Sequence, residues 1–229
     1  MKRNPFVYSV TRQITQLVFS LFYRIEIKRR EIFLDHGPAI ILPKHQYWTD
    51  IPVISLAFKP LLYFVAKREL FQYPLIRNYL FLLGGIPVDR KQTLRTLDSF
   101  KTLLSLLKAG EKIVIFPEGT YFRGSVGTGK SRLIQMILGF QSELKQSIPF
   151  VPVGIRYEEG KKWRRRVEIR IGHPLFGERE SDALSLTHRV MEEISGLCEL
   201  PKGNKKLERR HSKHETNSND RSTKFETIS

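Results

Sequence analysis

The chain of 229 residues is long enough for one α/β domain with a sizeable core, and its 41% of apolar residues excludes an intrinsically disordered protein. Its formal net charge of +16 predicts an anionic partner, which is a nucleic acid, an anionic membrane surface or a phosphorylated substrate. The single cysteine, Cys198, excludes an internal disulfide, and because the histidines and Cys198 lack metal-ligand spacing we expect no metal site.

The first segment, from Pro5 to Ile27, is predicted to form an amphipathic helix at a membrane surface. Its uncharged apolar part, Leu17 to Tyr23, is far shorter than the roughly 20 residues that a membrane span requires. Lysines and arginines flank the segment on both sides, which is typical of a helix in the headgroup region of an anionic membrane. The alternative is a helix that only packs on the core. We assign this helix to residues 1–30, the main domain to 31–200 and a disordered basic tail to 201–229.

Strand-like and helix-like patterns alternate along the main domain. Buried strands are predicted at residues 39–42, 61–66, 112–116, 150–153 and 167–171, and helices at 69–83, 94–107, 131–140 and 185–197. Pro74 interrupts the first of these helices, so we expect a kink or two short helices there. The alternation predicts an α/β fold with a mostly parallel central sheet, helices on both faces, and the membrane-associating helix in front.

Three polar clusters follow apolar stretches of this predicted fold. They are Lys44-His45, Asp89-Arg90 and Glu118-Gly119-Thr120. Because the carboxyl ends of parallel strands meet at one edge of a sheet, where ligands gather, we expect the three clusters to share a site.

His45 and Asp50 stand five residues apart across a predicted junction between a strand and a helix. At that spacing the two side chains can face each other, and a carboxylate that orients an imidazole is the minimum equipment for general-base catalysis. Taken alone, the pair favours a structural role, with His45 as a polar residue at a strand end and Asp50 as a helix cap.

The segment from Gly124 to Ser131 fits the phosphate-loop pattern G-x-x-x-x-G-K-[ST]. A nucleotide-binding loop begins directly at a strand end, whereas here the predicted strand ends at Phe116, and no later strand ends in an aspartate suited to magnesium. We therefore reject nucleotide binding. We expect Gly127 and Gly129 to keep the loop open near a ligand, and Lys130 to contact an anion.

Four blocks of the chain resemble the glycerolipid acyltransferase family typified by 1-acyl-glycerol-3-phosphate acyltransferases. His45 and Asp50 form the H-x-x-x-x-D motif, and the segment from Gly85 to Arg90 is similar to the second block. The segment from Phe116 to Thr120 reads F-P-E-G-T like the third block, and the segment from Val151 to Gly154 resembles the fourth, which is linked to the acyl donor. The combination of H-x-x-x-x-D with F-P-E-G-T at this distance is specific.

The resemblance implies an O-acyltransferase in which His45 removes the proton of an acceptor hydroxyl while Asp50 orients the imidazole. It places the acceptor phosphate at Arg90, and it places Glu118, Gly119 and Thr120 at the acceptor site. Glu118 is expected to orient Arg90 or the loop, or to accept a hydrogen bond from a glycerol hydroxyl. The family implies a fatty acyl thioester as donor, 1-acyl-glycerol-3-phosphate as acceptor and phosphatidic acid as product.

The same resemblance implies no cofactor, with acyl-CoA or acyl-carrier protein as co-substrate, and a location at the cytoplasmic face of an anionic membrane. Another lyso-lipid acceptor, such as a lyso-ornithine lipid, stays open, because the chain departs from the family pattern near its motifs. It has Lys44 where asparagine is common, Tyr47 where serine is common, and Tyr121-Phe122-Arg123 where Arg-Ser often follows F-P-E-G-T. A basic nucleic-acid-binding protein without catalysis is the competitor from another class, and we expect no nucleic-acid partner.

Overall fold

A computed structural model describes residues 3–29, 37–59, 61–88, 96–158 and 164–203. The strands are β1 (Tyr23–Arg29), β2 (Ala39–Pro43), β3 (Leu62–Lys67), β4 (Gly85–Val88), β5 (Lys112–Val114), β6 (Phe150–Tyr157) and β7 (Arg165–Ile171). The α-helices are α1 (Pro5–Phe22), α2 (Asp50–Ala57), α3 (Pro74–Leu82), α4 (Thr96–Lys108), α5 (Ser131–Leu144) and α6 (Ala183–Cys198).

The strands form one seven-stranded sheet in the order β1-β7-β6-β2-β5-β3-β4. Every described neighbouring pair is parallel except β6 and β7, which form an antiparallel pair. The predicted mostly parallel α/β fold is therefore confirmed. Strands β2 to β6 end at the same edge of the sheet, which is the edge where the predicted site residues follow their strands.

Strand β2 lies in the middle of the sheet and is buried on both faces. Ile40 and Leu42 point into a core shared with α4, α5 and α6, while Ala39 and Ile41 point into a second core shared with α1 and α2. Successive side chains of a strand alternate between faces, so a continuous apolar run fills both cores. The backbone that leads to His45 is consequently held from both sides.

The prediction that the first helix continues to Ile27 is wrong, because α1 ends at Phe22. From Tyr23 onward the residues alternate between apolar and charged, which is the period of a strand. β1 pairs in parallel with β7, and the charged face is satisfied across the pair by ion pairs such as Glu26 with Arg166 and Lys28 with Glu168. The sheet thus extends across the predicted domain boundary at residue 30.

The segment around Pro74 forms two short helices, as predicted. A 3-10 turn spans Arg68–Phe71, and α3 begins at Pro74, where a proline at the first helical position loses no hydrogen bond. Among the described residues, no helix combines the length and the apolar character that crossing a membrane requires.

Asp89, Arg90 and residues 204–229 of the predicted tail lie outside the described residues. The prediction that the tail begins at residue 201 is wrong, because Pro201 and Gly203 are hydrogen-bonded to Val126.

Candidate active site

His45 and Asp50 face each other at the carboxyl end of β2. His45 follows the strand by two residues, and Asp50 is the first residue of α2. The distance from His45 Nδ1 to Asp50 Oδ2 is 3.0 Å, which confirms the prediction that the two side chains meet. A proton on Nδ1 that is donated to the carboxylate leaves the lone pair on Nε2, so the imidazole is arranged to accept a proton at Nε2.

Asp50 is completely buried, and its carboxylate is held by the loop that connects it to His45. Oδ2 accepts hydrogen bonds from the backbone N–H groups of Gln46 and Tyr47 as well as from His45. Oδ1 accepts a hydrogen bond from the hydroxyl of Tyr157, with 2.7 Å between the two oxygens. A buried carboxylate needs such donors to remain charged, because its desolvation is otherwise costly.

Two aromatic rings enclose the imidazole of His45. The ring of Phe116 stacks on it with centroids 3.9 Å apart, and the ring of Tyr121 lies at 4.4 Å. Phe116 is the first residue of the F-P-E-G-T segment and Tyr121 follows it directly, so the loop after β5 forms a wall of the site. With these contacts and its hydrogen bond to Asp50, the side chain of His45 is 11% exposed.

A buried ion pair lies beneath the histidine. Lys44 Nζ is 2.8 Å from Glu118 Oε1 and 3.0 Å from Oε2, and it also donates to the carbonyl oxygens of Phe122 and His45. Glu118 Oε2 in turn accepts the backbone N–H of His45 at 2.8 Å. The pair therefore joins the end of β2 to the loop after β5 and sets the position of the His45 backbone.

Glu118 has its two oxygens engaged by the protein itself. Oε1 accepts the backbone N–H of Gly127 in addition to its contact with Lys44. Burial raises the pKa of Glu118, and the positive charge of Lys44 acts against that shift. Of the roles predicted for Glu118, these contacts match that of orienting the loop.

The glycine-rich loop packs tightly against the rest of the site. A Cβ atom at Gly127 would lie 2.9 Å from Phe122 Cε2, and one at Gly129 would lie 2.8 Å from Met191 Cγ. The expectation that these two glycines keep the loop open near a ligand is therefore wrong. They allow close packing instead, and the loop supports the ion pair through the N–H of Gly127.

Gly119 and Lys130 lie side by side. Gly119 has a φ of +69°, which favours glycine, and a Cβ atom there would be 3.1 Å from Lys130 Nζ. The ammonium of Lys130 is thus close to the F-P-E-G-T turn. The acceptor-site roles of Gly119, Thr120 and Lys130 stay predictions.

The predicted phosphate ligand Arg90 lies outside the described residues. β4 ends at Val88, at the same edge of the sheet as His45 and Glu118. Of the three predicted polar clusters, the structure brings together those at Lys44-His45 and Glu118-Gly119-Thr120, and the role of Arg90 stays a prediction.

Sequence reasoning missed Tyr157. The predicted strand ended at Val153, whereas β6 continues to Tyr157, whose hydroxyl contacts Asp50. The signal was the continued apolar run through Ile155, because β6 pairs in parallel with β2 and a longer strand brings its last residues to the His45 edge. Lys44 was predicted to lie in the shared site, but its ion pair with Glu118 was not predicted.

The thiol of Cys198 is buried, and burial raises its pKa to about 12. A thiol in that state supplies no thiolate nucleophile near neutral pH. Within the described part of the chain, no group of three or more His, Cys, Asp or Glu side chains is arranged to hold a metal ion.

A model of the acyltransferase family matches residues 24–156 of the chain. The 1-acyl-sn-glycerol-3-phosphate acyltransferase of Bacillus subtilis (strain 168) is 30% identical over 115 residues, which are 50% of this chain and 57% of that protein. The chloroplastic 1-acyl-sn-glycerol-3-phosphate acyltransferase LPAT1 of Arabidopsis thaliana is 28% identical over 156 residues, 66% of this chain and 41% of that protein. The chain thus spans about half the length of these relatives.

The fold is similar to the crystal structure of the 1-acyl-sn-glycerophosphate (LPA) acyltransferase PlsC from Thermotoga maritima. The TM-score is 0.58 at 23% sequence identity, and the similarity covers 83% of this chain and 80% of that one. At this identity the likeness establishes the shared fold.

Proposed function

The chain belongs to the acyltransferase family, and we propose that it transfers a fatty acyl group from an acyl thioester to the free hydroxyl of 1-acyl-glycerol-3-phosphate, giving phosphatidic acid. The observation that carries the proposal is the 3.0 Å contact between His45 Nδ1 and Asp50 Oδ2 at the carboxyl edge of the sheet. The names of the relatives support the choice of acceptor.

In the proposed reaction His45 acts as general base. Nε2 takes the proton of the acceptor hydroxyl as its oxygen attacks the thioester carbonyl, and Asp50 stabilises the imidazolium that forms. The tetrahedral intermediate collapses, the C–S bond breaks, and the leaving thiolate takes the proton back from the imidazolium. The product is an ester and a free thiol, so the protein needs no nucleophile of its own.

We assign the acceptor phosphate to Arg90, with Lys130 as a further cation beside the F-P-E-G-T turn. A guanidinium binds a phosphate by charge-assisted, bidentate hydrogen bonds, which position the glycerol hydroxyl. The hydroxyl of Thr120 is a donor at the same turn, where the N–H of Gly119 already donates to the carbonyl of Phe116. Glu118 acts through the loop that it orients. Holding both reactants in the reactive geometry lowers the activation free energy by roughly 7–11 kcal/mol.

We propose that the enzyme works at an anionic membrane surface on the cytoplasmic face. Phe6, Val10, Ile14, Leu17 and Leu21 recur at helical spacing on α1, and all are exposed. α3 exposes further large apolar side chains and joins α1 through a hydrogen bond between Thr11 and Tyr79. We name the exposed apolar residues of these two helices the apolar platform; they are Phe6, Val10, Ile14, Leu17, Val18, Leu21 and Phe22 on α1, and Leu75, Ile76, Tyr79 and Leu82 on α3. Exposed apolar surface and a net charge of +16 are what a helix pair resting on anionic lipid requires.

The proposal is tested by measuring thiol release from acyl-CoA with and without 1-acyl-glycerol-3-phosphate. We expect release that depends on the acceptor and is absent in His45→Ala. A parallel panel with glycerol phosphate, lyso-ornithine lipid and other lysophospholipids, and with acyl-carrier protein as donor carrier, identifies the preferred substrates. Acceptor-independent release, or a preference for another acceptor, would contradict the proposal.

A further inference from the structure

We propose that Tyr157 is a positioning residue that weakens the hold of the Asp50 carboxylate on the His45 imidazole. This inference rests on the proposed function, because it gives Tyr157 a part in the same proton transfer. Tyr157 does not touch the reacting atoms in this scheme. It acts on the base only through Asp50.

The two oxygens of the Asp50 carboxylate are divided between the two side chains. Oδ2 lies 3.0 Å from His45 Nδ1, and Oδ1 accepts the Tyr157 hydroxyl at 2.7 Å. Asp50 is completely buried, so solvent does not replace either donor. The hydrogen bond from Tyr157 stabilises negative charge on the Asp50 carboxylate, and that charge then interacts less strongly with the imidazole.

The hydroxyl of Tyr157 has a fixed direction. Its single proton is used in the hydrogen bond that it donates to Asp50 Oδ1. The hydroxyl of Thr49, whose Oγ1 is 3.0 Å away, therefore donates to the phenol oxygen. Burial and the negative charge of Asp50 raise the pKa of Tyr157 above its ordinary value. The phenol thus remains a donor across the pH range in which the enzyme is assayed.

The ring of Tyr157 is packed so that its hydroxyl is held at the site. Its centroid lies 5.0 Å from that of Tyr47, at an interplanar angle of 82°. The centroid of Tyr23, the first residue of β1, is 6.4 Å away. Tyr157 is also the last residue of β6, next to the strand that leads to His45. The contact with Asp50 is consequently built into the sheet.

The consequence for the base follows from charge. A hydroxyl that donates to a carboxylate stabilises its negative charge and weakens its hold on an imidazolium. Tyr157 thereby weakens the interaction of Asp50 with the imidazolium relative to an Asp50–His45 pair without it. An imidazolium held less tightly by Asp50 returns its proton more readily to the leaving thiolate.

Of the described titratable groups around the imidazole, Asp50 is the one to which Tyr157 donates a hydrogen bond. Asp50 faces Nδ1 from α2, and Tyr121 faces the ring from the loop after β5. Lys44 and Glu118 form an ion pair with each other, and both side chains hydrogen-bond the backbone of His45. A shift in the titration of His45 on loss of the phenol hydroxyl therefore reports the contact with Asp50.

The test is the pH dependence of kcat/KM for acyl transfer from acyl-CoA to 1-acyl-glycerol-3-phosphate in Tyr157→Phe. We expect the acid limb to move up by about half a pH unit, because Asp50 without the phenol donor holds the imidazolium more tightly. Tyr8→Phe is the matched control, since Tyr8 is a buried tyrosine whose hydroxyl bonds Ser55 at 2.9 Å and not Asp50. The control is expected to keep the wild-type acid limb.

Replacement of Tyr157 by 3-fluorotyrosine provides a second variant of the same shape. Its phenol is a stronger donor, so the acid limb is expected to move down, opposite to Tyr157→Phe. An NMR titration of the His45 imidazole in both variants gives the same two directions without turnover. An unmoved His45 titration in both would overturn the role of Tyr157.

His45→Ala separates this inference from the proposed function. If that variant keeps wild-type turnover, the general-base mechanism fails and the role of Tyr157 fails with it. If His45→Ala is inactive while Tyr157→Phe titrates like the wild type, the mechanism stands and only the inference about Tyr157 is lost.

Discussion

Lys44 Nζ lies 2.8 Å from Glu118 Oε1, and both side chains are inaccessible to solvent. Lys44 precedes the histidine at the end of β2, and Glu118 belongs to the F-P-E-G-T segment after β5. The ion pair thus ties together two motifs that are more than 70 residues apart in the sequence. It makes the position of His45 depend on long-range packing as well as on its own loop.

Removing one partner of this pair is expected to destabilise the protein strongly. Lys44→Met leaves the charge of Glu118 buried without its counter-ion, which costs about 3–5 kcal/mol of the free energy of unfolding. Urea denaturation measures the loss.

The double variant Lys44→Met/Glu118→Gln serves as the control for that prediction. Because neither charge remains, its destabilisation is expected to fall short of the sum of the two single changes by about 1 kcal/mol or more. Additive losses would show that the two side chains do not act as a pair.

Asp50→Asn is expected to reduce kcat by about 10³–10⁴ while the protein stays folded. The amide keeps the shape of the side chain but no longer stabilises the imidazolium or selects the tautomer with the proton on Nδ1. Steady-state kinetics gives kcat, and calorimetry with 1-acyl-glycerol-3-phosphate is expected to show binding close to that of the wild type. Because both residues serve one proton transfer, adding His45→Ala should lower kcat little further. If the factors by which the two substitutions lower kcat multiply in the double variant, the two residues do not act in the same step.

Glu168 is predicted to contribute to stability against acid. Its hydrogen bonds to Arg170 and Lys28 lower its pKa to about 2 from an ordinary value of 4.5. A carboxylate with a lowered pKa in the folded state stabilises above its unfolded pKa, and the contribution is lost as the pH falls from about 4.5 towards about 2.

Glu168→Gln checks this by denaturant unfolding at a series of pH values. The wild type is expected to be more stable than the variant above pH 4.5, with a gap that narrows steadily at lower pH. A gap independent of pH would mean that the carboxylate charge is not responsible. The exposed Glu192, which pairs with Lys202 and His188 and whose pKa is also lowered, offers a comparison site, and Glu192→Gln should change stability less because solvent screens exposed pairs.

Polar substitutions on the apolar platform are expected to weaken membrane binding. Leu17 on α1 is 68% exposed and Leu75 on α3 is 87% exposed, so serine at both positions removes apolar contact without opening the core. Each side chain contributes up to about 1.5–3 kcal/mol when fully buried, and partial insertion at the interface gives part of that. Sedimentation with anionic vesicles at low and high salt is expected to show roughly tenfold weaker binding.

Leu184→Ser is the matched control for the platform. Leu184 is 73% exposed, but it lies on α6, which covers the other face of the sheet. Equal loss of vesicle binding in this control, or full binding of the Leu17→Ser/Leu75→Ser variant, would contradict the assignment of the surface.

Several elements were predictable because their signals are local. The apolar run of β2, the helical spacing in α4 and the two short helices around Pro74 each follow from a pattern within about a dozen residues. The strand β1 was missed because its apolar and charged residues alternate directly after a helix. Its partners on β7, to which Glu26 and Lys28 form ion pairs, are about 140 residues away.

By itself, the sequence determined the fold class, the family and the pairing of His45 with Asp50, since motif spacing and hydrophobic period are properties of neighbouring residues. Only the tertiary structure decided what stabilises that pair. Tyr157 reaches Asp50 across more than 100 residues of sequence, and Lys44 and Glu118 meet in the interior. A buried carboxylate or ammonium must be satisfied by whatever donors and acceptors the packed strands bring near, and the choice among them is made by the sheet order.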